Sequence, residues 1–119
     1  MKKNHNAYYF TNFDYICEKY NTMRRNFKLE ALQRGEEVVT SEKGNSMMPL
    51  IKSGQQHRLK PITWEGTKED DIVYCKVKGN FYTHLVKAKN DDKGCLIGNN
   101  KGGINGWTKQ VYGIVIEIL

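Results

Sequence analysis

A mainly β domain with an amino-terminal helix is the fold class that this sequence predicts, and three observations carry the expectation. Apolar side chains recur every three or four residues near the start, short β-branched and aromatic runs fill the remainder, and Gly, Asn and Asp clusters separate those runs. From Asn12 to Arg34 the positions Phe13, Ile16, Tyr20, Met23, Phe27 and Ala31 mark one face of a helix. Thr11 or Asn12 suits its cap, Asp14 its first turn and Gly35 its stop. Propensity drops at Asn21-Thr22, where the helix can break. Residues 1–35 thus read as an amino-terminal helical segment and 36–119 as a β domain, together one compact unit.

After Gly35 the runs Glu36–Thr40, His57–Ile62, Asp71–Lys78, Asn80–Ala88, Gly94–Ile97 and Gln110–Ile118 read as strands of a small, twisted, mostly antiparallel sheet. Lys78-Gly79-Asn80 reads as a tight hairpin turn. In the arm that follows, Tyr82, His84 and Val86 share one face while Phe81, Thr83 and Leu85 share the other. The stretch from Gly98 to Gly106 reads as a loop. It lacks the strand-to-helix setting and the Gly-Lys-Ser/Thr ending of a phosphate loop, which argues against nucleotide binding.

At 119 residues the chain has room for one core. No apolar stretch approaches the ~20 residues needed to cross a bilayer, and Met1–Asn6 is polar, so neither an anchor nor a targeting segment is expected and the expected location is cytoplasmic. Cys17, Cys75 and Cys95 are an odd set without a Cys-x-x-Cys pair; they read as buried thiols in a reducing compartment, with no metal and no cofactor implied. The net charge of +6 is spread without a block of like sign, and Lys76, Lys78, Lys87 and Lys89 alternate with apolar residues as on a solvated strand face. Nucleic-acid binding rests on charge alone and ranks last. The helical segment also lacks the second, recognition helix of a helix-turn-helix.

The run Gly44-Asn45-Ser46-Met47-Met48-Pro49, with Gly54 beyond it, is the most informative local feature. Pro49 fixes its own φ and disfavours helix at Met48, so Ser46 belongs on a loop whose course is tightly set. The hexapeptide resembles the nucleophile box of the type I signal peptidases and the LexA-like self-cleaving repressors. Further likenesses follow in the family's order: Asp70-Asp71-Ile72-Val73, Thr83-His84-Leu85-Val86, Gly98-Asn99-Asn100 and Val111-Tyr112-Gly113-Ile114-Val115.

The resemblance implies a serine peptidase with Ser46 as nucleophile and His84 as base, histidine being the base of the endoplasmic-reticulum and archaeal signal peptidases. It implies oxyanion donors at the Ser46 amide and the Gly44-Asn45 turn, and an apolar groove beside them lined by Met47, Met48 and Pro49. Asn99 and Asn100 stand where relatives carry an acid that orients the imidazole. Leu85 replaces an arginine, Gln55 an aspartate, and Gly44 a serine hydroxyl that some bacterial relatives offer. Lys87 is a reserve base, on the face opposite His84 by strand alternation.

Two functions follow. One is a peptidase that cleaves itself or a protein partner. The other is an inactive protein of the same fold, a binding inhibitor or adaptor of the kind encoded by phages and mobile elements. Its contact surface would be the aromatic amino terminus, with a homodimer through the helix as one form. The plainer alternatives are a turn hydroxyl for Ser46 and a packed histidine for His84. His5 and His57 read as surface residues, and Trp64 and Trp107 as core anchors.

Overall fold

The computed structural model describes residues 7–11, 13–14 and 25–119. It is mainly β. Eight strands form one sheet: β1 (Tyr8–Tyr9), β2 (Val38–Thr40), β3 (His57–Pro61), β4 (Ile72–Val77), β5 (Asn80–Asn90), β6 (Gly94–Gly98), β7 (Ile104–Thr108) and β8 (Val111–Ile118). Their spatial order is β1-β2-β3-β8-β4-β5-β6-β7, every pairing antiparallel except β1 with β2. The last strand in sequence therefore lies at the centre. It pairs with β3 through Val115 opposite Leu59 and with β4 through Ile114 opposite Val73. Arg58 of β3 adds ion pairs to Glu117 of β8 at 3.2 Å and to Glu37 at 3.4 Å.

Strand alternation distributes the core. Val73, Cys75 and Val77 point to one face of β4, where they pack with Val86, Cys95, Ile97 and Val111. Tyr74 points to the other face and packs with Val38, Leu59 and the helix α1 (Phe27–Gln33) through Ala31 and Leu32. The two Leu32 methyl groups would lie 3.1 and 3.2 Å from a Cβ at Gly113, so the glycine lets α1 sit close over β8. The β4–β5 turn has positive φ at both Lys78 and Gly79, the backbone that a two-residue hairpin requires.

The helical segment differs from the expectation. Thr11 and Asp14 exchange reciprocal bonds, Thr11 Oγ1 accepting the Asp14 N–H at 3.2 Å and Asp14 Oδ2 accepting the Thr11 N–H at 3.1 Å. This is the arrangement of a capping box, in keeping with a cap at Thr11. Ile16, Tyr20 and Met23 lie outside the described residues, as do His5, Asn12 and Cys17. A single helix through Arg34 is nonetheless ruled out by Asn26. That residue is extended and caps α1, its Oδ1 accepting the Leu29 N–H at 3.0 Å. An asparagine amide competes for backbone donors and so starts a helix more readily than it continues one. Ahead of the helical segment, Tyr8 and Tyr9 add a parallel edge strand to β2. The apolar face of α1 packs on its own sheet.

The Gly98 to Gly106 stretch, expected as a loop, contains the start of strand β7. The true loop between β6 and β7 is only 99–103. Among the described residues no helix is long and apolar enough to cross a membrane.

Leu59 is fully buried where β3 meets β8 and α1. Leu59→Ala should cost about 3 kcal/mol, the usual scale for a large-to-small change in a packed core. Urea denaturation followed by tryptophan fluorescence measures this directly.

Candidate active site

Ser46 lies in the loop between β2 and β3, which has no strand partner to hold it. Local bonds set its course instead. The Gly54 N–H donates to Glu42 O at 2.8 Å, the Ile51 N–H to Met47 O at 3.1 Å and the Gly44 N–H to Ser53 Oγ at 3.1 Å. Gly44 has φ +125, a conformation that side-chain-bearing residues rarely adopt. Met47 and Ile51 are buried against Leu85 of β5, which pins the loop to the sheet. From the other side the β6–β7 loop closes on it. The Asn100 N–H donates to Ser46 O at 2.9 Å, and Asn100 Nδ2 donates to Met48 O at 2.9 Å.

The result places Ser46 Oγ 3.1 Å from His84 Nε2. His84 is 8% exposed, in the middle of β5, and stacks on Tyr82 with ring centroids 4.9 Å apart. Its Nδ1 lies 2.7 Å from Asn105 Oδ1. An amide oxygen only accepts, so the ring proton sits on Nδ1 and the Nε2 lone pair faces the serine hydroxyl. Serine, imidazole and amide thus form a relay in the arrangement that a nucleophile, base and orienting group need.

Asn99 and Asn100, the expected orienting residues, do not hydrogen-bond the ring, whose nitrogens face Asn105 and Ser46. Asn99 Oδ1 instead accepts the Lys101 and Gly103 N–H groups, each at 2.8 Å, and shapes the turn. Asn100 clamps the serine loop. The ring's partner is Asn105, concealed in the sequence because the Gly-rich stretch hides the start of β7. Of the expected oxyanion donors, the Gly44 amide is engaged by Ser53. The Ser46 amide donates to no other group among the described residues. Met47 turns inward, Met48 is half-buried, and Asn45 and Pro49 are exposed beside them. Leu85 fills the core under the loop, while Gln55 Oε1 accepts the Lys52 N–H at 3.0 Å. Lys87 lies against Gly98.

A second polar group underlies the loop. Glu42 Oε1 accepts the Thr83 hydroxyl at 2.6 Å and faces Lys28 Nζ at 3.4 Å. His57, expected at the surface, is 1% exposed: strand β3 carries it inward, against the serine loop. Burial holds its imidazole below the usual 6.5, with Lys28 adding to the effect and the Gln55 carbonyl and Glu42 opposing it. Burial also raises the Glu42 carboxyl, but Lys28 and Thr83 outweigh it and leave the group below its usual 4.5.

Elsewhere, Cys75 and Cys95 are free and buried, and burial pushes the Cys75 thiol up to about 12, which makes it inert. Trp64 packs on the core as expected. Trp107 does not: it is exposed, with Lys93 over its ring. Among the described residues no group of three His, Cys, Asp or Glu side chains is placed to hold a metal.

No known protein family, curated protein or solved structure matches this chain.

The buried imidazole gives a pH signature. Because folding lowers the His57 pKa, its contribution to stability is complete above about 6.5 and declines as pH falls towards the folded value. Glu42, lowered from 4.5, adds a further loss only below that pH. Denaturant midpoints between pH 7.5 and 5 should fall in the native protein, and His57→Gln should flatten the profile over that range.

Proposed function

We propose that this chain is a serine endopeptidase of the signal-peptidase/LexA-like type, cutting a peptide bond in itself or in a protein partner. The observation that carries the reading is the Ser46 Oγ to His84 Nε2 contact of 3.1 Å, with Asn105 Oδ1 2.7 Å behind the ring. Five sequence likenesses in the family's order support it independently.

In the acylation step Ser46 Oγ attacks the scissile carbonyl carbon as its proton passes to His84 Nε2. The Ser46 amide faces the developing oxyanion. His84 then protonates the leaving amine, the C–N bond breaks and an ester remains on Ser46. Water attacks that ester with His84 again as base, which restores the hydroxyl and releases the acid.

The neutral Asn105 sets the rate. It holds the productive tautomer, but brings no negative charge to stabilise the imidazolium. Replacing the acid of a serine-protease triad by its amide costs about 10⁴-fold, part of it through the wrong tautomer. Here only the charge is missing, which fits a slow enzyme. The same neutral relay favours a second reading, in which the fold is retained as a protein-binding inhibitor or adaptor and turnover is lost.

A fluorophosphonate probe tests the choice. Stoichiometric labelling of the native protein, lost in Ser46→Ala and in His84→Ala, supports the peptidase. Asn105→Asp should raise the labelling rate about tenfold or more and move the acid limb of its pH profile upward, since a carboxylate stabilises the imidazolium. A folded native protein that stays unlabelled from pH 6 to 9 points to the binding role.

A further inference from the structure

We propose that the cavity beside Ser46 is a subsite for a small hydroxyl-bearing side chain, a serine of the substrate chain, whose O–H is accepted by His57 Nε2; the inference rests on the peptidase reading of Ser46. The cavity measures about 30 Å³, and Glu42, Lys43, Ser46, Lys52, His57 and Thr83 are among the residues that line it. A space of that size takes a group as small as a water molecule or a hydroxymethyl. It opens next to the nucleophile, where a residue flanking the scissile bond must place its side chain.

His57 supplies the chemistry. Among the described residues its Nε2 is the one buried side-chain nitrogen or oxygen without a hydrogen-bond partner, and the residue is 1% exposed. Leaving a buried polar atom unpaired is unfavourable, so a ligand that pairs it recovers that loss. The other ring nitrogen lies 3.3 Å from the Gln55 carbonyl oxygen, which only accepts. Nδ1 therefore carries the proton, and Nε2 presents a lone pair that asks for a donor. Burial keeps the ring neutral, which preserves that acceptor near pH 7.

Charge narrows the donor to a neutral one. Glu42 already faces Lys28 and accepts the Thr83 hydroxyl, so its charge is answered within the protein. Lys43 and Lys52 border the cavity and oppose an ammonium or guanidinium group. A carboxylate would meet the Glu42 oxygens and the Nε2 lone pair, acceptor against acceptor. A hydroxyl avoids both conflicts.

Serine and 2-aminobutyrate differ by O–H against CH₃ at the same position, so they isolate the hydrogen bond. N-acetylseryl and N-acetyl-2-aminobutyryl p-nitrophenyl esters should be compared for Ser46-dependent release of p-nitrophenol. The serine ester should have about tenfold higher kcat/KM, since a site built to pair a hydroxyl rejects the analogue without one. In His57→Phe that ratio should fall to about one; if this variant does not fold, the ratio in the native protein stands as the test. Equal or reversed preference with Ser46-dependent turnover overturns the subsite and leaves the peptidase reading in place.

A second measurement needs no turnover. In Ser46→Ala protein, N-acetylserinamide should move the His57 Nε2 ¹⁵N resonance upfield, as expected for a nitrogen lone pair gaining a donor, and N-acetyl-2-aminobutyramide should not. That result with no turnover of either ester keeps the binding site while the peptidase reading fails. No shift from either amide, or equal shifts from both, overturns the subsite.

Discussion

A long loop between two strands has no ladder to define it, and everything in this site depends on one that is held from two sides. Beneath, Met47 and Ile51 are buried against Leu85, which gives the loop an apolar floor on strand β5. Above, Asn100 fastens the Ser46 and Met48 carbonyls with two bonds of 2.9 Å. Side-chain entropy argues against any single contact placing a hydroxyl within hydrogen-bonding range of a ring. The apolar floor fixes height, the amide clamp fixes rotation, and Leu85 lies next to His84 in the same strand. Loop and base are therefore positioned by neighbouring residues of one element.

Polarity within this small region is graded. The Ser46–His84–Asn105 relay contains no carboxylate, whereas Glu42 pairs with Lys28 and accepts the Thr83 hydroxyl. Thr83 and His84 are adjacent in sequence, and strand alternation sends them to opposite faces. One strand thus serves both the relay and the charged group without mixing them. That separation leaves the His84 imidazole with no carboxylate partner among the described residues. Burial, with Lys28 beside it, resists protonation of His57 against the pull of the Gln55 carbonyl and Glu42, and keeps an acceptor at the cost of an unpaired atom.

Most of the sheet was legible because its signals are local. Val38–Thr40, His57–Pro61, Ile72–Val77, Asn80–Asn90, Gly94–Gly98 and Val111–Ile118 all lie where short β-branched or aromatic runs end at Gly, Asn or Asp. Tyr8–Tyr9 was not, since a two-residue parallel strand owes its existence to β2. Ile104–Thr108 was hidden by Gly106 and the glycines before it. Missing that strand meant missing Asn105, and the orienting role fell to Asn99 and Asn100 instead. The break at Asn26 followed from capping, which periodicity does not register. His57 was misread for a further reason: its burial is created by a loop folding back over β3, a contact with no trace in its sequence neighbours.

The central claim is that Asn105 and Ser46 hold the His84 ring in one tautomer. An isolated imidazole prefers its proton on Nε2, so the claim predicts the less common form. Long-range ¹H–¹⁵N correlation spectra of the native protein near pH 7.5 report the two ring nitrogens separately. The account predicts a protonated Nδ1 and a bare Nε2 for His84. A protonated Nε2 with a bare Nδ1 would contradict it, because the ring would then have no lone pair to offer the serine.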